Sequence, residues 1–444
     1  MQKKLLSRPS HEHGQTILLV AVSLVSLLAM AALAIDVVTL YVARSETQRA
    51  ADAAALAGAK AIADSGITTF LLTDPAVPTM EPWVQAAANA QINAVLQTNL
   101  VAGSTSALSS ATVDWTRQGN PHITVSLNSP NLPTFFSKIW GAGPNNVVAT
   151  ATAEVYNPAN LQPPITAIAP QSVKPWLVAN VDPINVGTQF VNTSTWAVDS
   201  AVIGQSFDLV SDCAGSAAPC SLNQTPPGLP PTTTGQVQYV PALVTPNSAN
   251  VCPTSVGSCN SSCLGASSYE LSVECADVNV YSSLNCGGGG TPASWDNSVN
   301  PGGAAGASAT GAQCLIHADG PGPGMQDTLN PGLWPAASMQ ITGGSCNANP
   351  AVLIANSSSI ATIPIVDTAT FPTLPGNVTI VGFLQAFINQ VDPNPTALGQ
   401  PPAGSINIRV LNIAGCSSPP NNGANPVVGG SGTSPIPVRL ITSP

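Results

Sequence analysis

His317-Ala318-Asp319 is the one place in the later chain where a histidine stands beside a carboxylate. Histidine with an orienting acid is part of a nucleophile-activating triad, but such spacing names no nucleophile. A loop histidine is therefore expected. Glu270 and Glu274 lie four apart beside Cys275, and paired carboxylates can divide acid and base work. Leu271-Ser272-Val273 between them reads as strand, so solvated surface carboxylates are expected instead. His122 opens an alternating run and reads as structural. The chain contains no G-x-S-x-G elbow, phosphate-binding G-x-x-x-x-G-K-[ST] loop, G-x-G-x-x-G fingerprint or H-E-x-x-H helix. The expectation is no enzyme, no cofactor and no metal site.

Ten cysteines carry the remaining chemistry: Cys213, Cys220, Cys252, Cys259, Cys263, Cys275, Cys286, Cys314, Cys346 and Cys416. None lies in the first 212 residues. An even number in a loop-rich segment after an apolar span reads as disulfides formed in an oxidising space. The competing reading is free or metal-binding thiols in a cytosolic protein. The spacing includes no paired C-x2-C and only 4 histidines are present, which disfavours zinc.

Composition narrows the class further. Only 7% of residues are charged, against roughly 25% in ordinary globular chains. Beyond Lys60 there are five Lys/Arg and seventeen acids. That sparse acidic surface offers no basic patch for phosphate backbones, so nucleic acid is not an expected partner.

The element that must position everything else is the stretch from Gly14 to Ala63. No proline or turn cluster interrupts it, so one helix of about 50 residues, roughly 75 Å, is expected. Thr16–Ile35 is uncharged and matches the roughly 30 Å core of a bilayer. The remainder, rich in alanine, would rise from the membrane as a stalk. Lys3, Lys4 and Arg8 precede the apolar run, and the positive-inside tendency keeps that end cytoplasmic. A cleavable signal peptide is the competing reading, because Ala29-Met30-Ala31 and Ala32-Leu33-Ala34 have the small-x-small form. The apolar run is longer than such peptides use and no breaker follows it, so retention is expected. Glu46–Arg49 and Arg49–Asp52 are spaced to pair along the helix. Ala54-x3-Gly58 is a small-x3-small pair that admits close helix approach, either by the chain's own domain or by a partner helix.

Gly14-Gln15, the apolar run, Ala34-Ile35-Asp36-Val37, Leu40-Tyr41-Val42-Ala43-Arg44 and the run Ala50-Ala51-Asp52-Ala53-Ala54-Ala55-Leu56-Ala57-Gly58-Ala59 resemble the N-terminal region of TadG-like proteins. Those are envelope proteins of the bacterial tight-adherence (Flp pilus) assembly systems. The resemblance extends more weakly to residue 156, through Phe135-Phe136, Gly141 and the run Val148-Ala149-Thr150-Ala151-Thr152-Ala153. It implies assembly through the N-terminal helix, with Asp36, Tyr41, Asp52, Ala54 and Gly58 as packing residues. Related prepilins place a Glu five residues after a cleaved Gly; here that place is Leu19, so neither peptidase processing nor packing into a filament shaft is expected. Some relatives carry a von Willebrand A-type domain whose metal site needs Asp-x-Ser-x-Ser. Asp199-Ser200-Ala201 lacks that pattern, so no such site is expected.

The expected fold class is α+β: a transmembrane and stalk helix, a small pilin-like α+β head, and a β-rich disulfide-stapled domain. The expected divisions are 1–14 cytoplasmic tail, 15–42 transmembrane helix, 43–65 stalk, 66–160 head and 161–444 β domain. Gly66 and Asp74-Pro75 should break the long helix. Pro82 should sit in the first turn of a second helix with Trp83, Val84, Ala87, Ala88, Ile92, Val95 and Leu96 inward. Ile123, Val125 and Leu127 should face inward on one strand, with Ala149, Ala151, Ala153 and Val155 on another. Thr134–Trp140 reads as a short amphipathic turn and Leu161-Gln162-Pro163-Pro164 as a linker. Asn377–Val391 should pair with Ser405–Val410 in a sheet, with a sandwich as one arrangement. The expected location is the bacterial inner membrane, N-terminus cytoplasmic and bulk periplasmic or at the surface. The expected partners are the membrane, other Tad/Flp proteins, and cell-wall or surface ligands. The rival reading is an anchored or secreted adhesin or carbohydrate-binding β domain unrelated to pili; a weaker one is a secreted hydrolase.

Overall fold

The structure is a computed structural model of the 444-residue chain. It describes residues 12–132, 136, 145–157, 170, 172–185, 187–194, 197–211, 235–241, 250–251, 267–277, 293–294, 301–317, 324–330, 339–347, 349–367, 377–378, 380–392, 404–415 and 435–441. The expected tail up to residue 11, the turn at Thr134–Trp140 apart from Phe136, and the linker at 161–164 lie outside them; residues 12–14 already belong to the first helix.

One helix, α1 (Glu12–Asp64), runs 53 residues without a break, about 80 Å at 1.5 Å per residue. It ends where Gly66 turns left-handed at φ 76°. A Cβ there would stand 2.3 Å from Ile203 Cγ2 and 2.7 Å from the Leu411 carbonyl, so both the turn and the close approach demand glycine. A 3-10 turn, Ile67–Thr69, leads to α2 (Val77–Thr98). This helix starts five residues before Pro82, which lies inside it. The Asp74 carboxylate accepts from Ala76 N at 2.9 Å just ahead of the first turn, and Pro78 occupies a place where a missing N–H costs little. Met80, Val84, Ala87, Ala88, Ile92 and Leu96 are buried, whereas Trp83 is 45% exposed.

Three antiparallel strands follow: β1 (Ala107–Asp114), β2 (His122–Leu132) and β3 (Asn145–Val155). Period-2 alternation decides which face is covered. Ile123, Val125, Leu127, Ala149, Ala151, Ala153 and Val155 are buried in one core with the alanines of α1.

The later chain forms a closed six-stranded barrel rather than a sandwich. Its strands are β4 (Trp176–Ala179), β5 (Ser206–Ser211), β6 (Gln236–Pro241), β7 (Ile360–Val366), β8 (Ile380–Asp392) and β9 (Ser405–Gly415). They close in the order β7-β8-β9-β5-β6-β4. Parallel pairing of β5 with β6 and, between segments far apart in sequence, of β4 with β7 removes the free edges a sandwich keeps. The β8–β9 pairing is the one expected, with Ile406 opposite Val391 and Ile408 opposite Ile388. Trp176, Phe190, Phe207, Tyr239 and Phe387 pack its core with aliphatic side chains.

Two helices pack beside the barrel, α3 (Ser268–Glu274) and α4 (Pro301–Leu315). The segment expected as strand between Glu270 and Glu274 is thus helical. Ser267 caps it by accepting from Glu270 N, a local bond that outweighs the weak strand preference of three residues. The class is α+β, a long apolar helix with a β-rich remainder.

Head and barrel share a core. Val173, Leu177, Val240, Val366, Ile380, Phe383 and Ala414 belong to the same cluster as the α1 alanines. The chain then returns: β10 (Val438–Ile441) adds to the head sheet against β3, giving the order β1-β2-β3-β10.

Of the ten cysteines, Cys275, Cys314 and Cys346 are described, and none of these three is a free thiol. Cys275 and Cys314 are each 1% exposed. The other seven lie outside the described residues.

Candidate functional site

Along α1 the surroundings change within a few residues. The large side chains from Ile17 to Leu33 stand in the open, Ile17 71% and Leu28 61% exposed, and the most apolar window has a mean hydropathy of 2.7 with none of it buried. Length and composition suit a bilayer crossing. At Asp36 burial begins: this carboxylate is 4% exposed and accepts from Phe136 N at 3.1 and 3.3 Å. From Ala43 onward a stripe of Thr47, Ala50, Ala51, Ala54 and Ala55 is buried, at the three- and four-residue steps of one helix face. Thr47 Oγ1 donates to Ala43 O at 2.7 Å and is hydrogen-bonded with Ser129 Oγ at 3.1 Å, tying the stripe to β2.

The small-x3-small pair sits within that stripe. Ala54 is fully buried, and a Cβ on Gly58 would meet Ile123 Cδ1 at 2.7 Å and Ile92 Cδ1 at 3.0 Å. Its smallness admits the chain's own sheet and α2, so no second helix can lie on this face while the head is docked. Asp52, at the rim, accepts from Gln48 Nε2 at 2.8 Å, and Glu46 accepts from Ala102 N at 2.9 Å. These bonds replace the expected pairings with Arg49, because a fixed backbone donor or a neighbouring amide outcompetes an exposed ion pair. Tyr41 points outward at 74% exposure, beside Val37, Val38 and Val42. The five helix residues thus divide: Asp36, Ala54 and Gly58 turn inward, Asp52 lies at the rim, and Tyr41 is open to an outside contact.

A buried polar seam locks the end of α1 to the barrel. Asn412 Nδ2 donates to Ala63 O at 2.6 Å and to Thr68 Oγ1 at 2.9 Å. Its Oδ1 accepts from Thr69 Oγ1 at 2.5 Å and from Asn157 Nδ2 at 3.2 Å. Asp64, paired with Lys60, also accepts from Gln385 Nε2 at 2.6 Å. Burial pushes the Asp64 carboxyl up, and the Lys60 charge opposes it. The seam spans head and barrel with every Asn412 amide group partnered, as a buried amide requires. Sequence reasoning missed it. The available signal was a lone Asn inside the apolar run Val410-Leu411-Asn412-Ile413-Ala414.

The groups singled out for chemistry lie apart. His122 Nε2 is 3.5 Å from Glu154; burial, then the nearby Arg117 charge, lower its pKa. Asp199 accepts from Ala201 N at 2.9 Å and so caps the 3-10 turn Ser200–Val202. Burial lowers the His317 pKa against the charge of Asp327, while Ala318 and Asp319 lie outside the described residues. Glu274, expected at the surface, is 1% exposed at the end of α3. Among the described residues no three His, Cys, Asp or Glu gather as metal ligands.

Residues 14–61 match the family model described as putative Flp pilus-assembly TadE/G-like. That span covers both the open and the docked part of α1. Comparison with curated proteins and with solved structures finds no match.

Proposed function

We propose that this chain is a single-pass, non-enzymatic envelope protein of a Flp-type pilus assembly apparatus, acting as a minor pilin-like or anchoring component in surface adherence. One observation carries the reading: the matched segment coincides with a helix that leaves its apolar half open and docks its alanine half on a folded head. The mechanism is positional. The open half holds the protein in the inner membrane with Lys3, Lys4 and Arg8 cytoplasmic, and the rigid helix holds head and barrel at a fixed height beyond it. A pilin-like role for the head is supported by the long helix packed on an antiparallel sheet. Disulfide stapling of the barrel region in an oxidising space is supported by the burial of Cys275 and Cys314 and by the lack of free thiols among the described residues. The non-enzymatic reading is supported by the structural employment of Asp199, which caps a turn.

Deletion of the gene, with complementation, tests the function. Loss of Flp-type pili together with surface attachment is the expected result. Loss of attachment with pili intact would favour an independent adhesin, and neither loss would overturn the proposal. Alkaline phosphatase fused after residue 441 should be active; inactivity there, with activity at the N-terminus, would reverse the orientation.

A further inference from the structure

The outer strand of the head sheet does not come from the head. β10 arrives after the barrel, and residues 416–437 separate it from the end of β9. A segment of that length reaches at most about 75 Å when extended. The strand is short, with Val438, Arg439, Leu440 and Ile441 facing Val155, Glu154, Ala153 and Thr152. Three features hold it. Ile436 is fully buried in the head core. Tyr156 N donates to Pro437 O at 3.0 Å, and Arg439 pairs with Glu154. Pro435 and Pro437 flank Ile436 and fix φ near −65°, which lowers the entropy lost on docking.

Every one of those contacts is made by residues 435–441 with the slot beside β3, and none depends on the two belonging to the same chain. An identical strand from another copy would meet the same ladder, the same buried isoleucine site and the same carboxylate. We propose that the slot beside β3 is an interaction surface for a second copy of this chain, which inserts its own residues 435–441 while giving up its slot to a third. Donor strand and acceptor slot are different surfaces, so the contact is heterologous and propagates into a ring or an open row. The local concentration of strands rests on the membrane anchoring proposed above. Copies held by α1 in one membrane keep their slots at one height, where a strand on a 22-residue connection meets a neighbour's slot at a raised local concentration.

The test uses two differently tagged full-length copies expressed together in native membranes, one carrying Thr152→Cys and the other Ile441→Cys. These positions face each other across the slot. A covalent product bearing both tags on a non-reducing gel is expected, several-fold above that from a control pair in which Ser126→Cys on β2 replaces Thr152→Cys. Adding Glu154→Arg to the first copy and Arg439→Glu to the second makes both self-insertions repulsive and both cross-insertions attractive, and one of these sets the two cysteines face to face. The two-tag product should then rise several-fold again. Its absence with and without the charge exchange, while a single chain carrying both cysteines closes on itself, would restrict the strand to its own head and overturn the proposal. Failure of the single chain to close as well would overturn the slot itself. Fractionation of the same samples reports on the anchor separately, so a failed exchange is distinguishable from a failed membrane reading.

Discussion

Residues 17–42 and 43–64 belong to one unbroken helix yet sit in opposite surroundings. In the first part Ile, Leu, Val and Met project on all sides, with Leu19 at 71% and Met30 at 70% exposure. In the second the apolar residues are mostly alanine, and those on one face are buried against sheet and α2. Apolar character runs through both parts; side-chain size is what separates them. Lipid accepts bulk all round, whereas a sheet packed on a helix needs small residues so that the backbones can approach. Apolar content tells that a helix will be covered; the volume of its side chains tells by what.

The largest effect should come from charging the open half. Leu24→Arg with Leu28→Arg places two charges near the bilayer centre, at about 2.5–3.5 kcal/mol each. The protein should disappear from carbonate-washed membranes while any product that folds keeps its head and barrel. Unchanged membrane recovery would break the comparison. Gly66→Ala should cost about 3 kcal/mol, because a left-handed residue with side-chain and carbonyl atoms at 2.3 and 2.7 Å combines strain with overpacking. Ala54→Leu should cost about 1–3 kcal/mol for bulk forced into a fully buried site. Thermal unfolding in detergent measures both, and neither should alter membrane recovery. A loss of membrane retention in Ala54→Leu would show that this half too is read by lipid.

The seam sharpens the comparison from its far end. Asn412→Ala strands the Ala63 carbonyl and removes partners from Thr68, Thr69 and Asn157, at about 1–3 kcal/mol for buried groups left unpaired. If the seam acts as a unit, Asn412→Ala and Asn157→Ala combined should destabilise less than the sum of the two. Full additivity would mean the amides serve separately.

Period and punctuation made α1, β2, β3 and the β8–β9 pairing legible, because each is a local pattern repeated over many residues. Barrel closure was not legible: it depends on the pairing of β4 with β7 and of β5 with β9, each joining segments nearly two hundred residues apart, and local alternation looks alike in a barrel and a sandwich. The helix at Ser268–Glu274 was hidden because Leu271-Ser272-Val273 is too short for periodicity, leaving the Ser267 cap as the only sign. Among the site residues Ala54 and Gly58 were singled out by type and spacing and Asp36 by the resemblance, but whether they face a partner or the chain's own head is a tertiary question. Asn412 and Gln385 act across hundreds of residues of chain, where spacing carries no information.

The smallest effect concerns His122 on β2, opposite the Glu154 of β3 that pairs with Arg439 of β10. Its pKa lies below the ordinary 6.5, chiefly because burial disfavours the imidazolium and Arg117 repels it, with Glu154 and Asp114 pulling the other way. Folding therefore releases protons from this group, so its contribution to stability is complete above pH 6.5 and is lost as pH falls through the lowered folded-state value. Replacing it by Gln removes the titration and leaves an amide of similar reach. Melting of the detergent-solubilised protein from about pH 8 to about pH 5 should then fall less steeply for His122→Gln than for the parent, with the two curves diverging only below about 6.5. A parent that gained stability over that interval relative to the variant would mean that the Glu154 carboxylate, not burial, governs the ring. The sheet edge holding β10 would then tighten in acid instead of loosening.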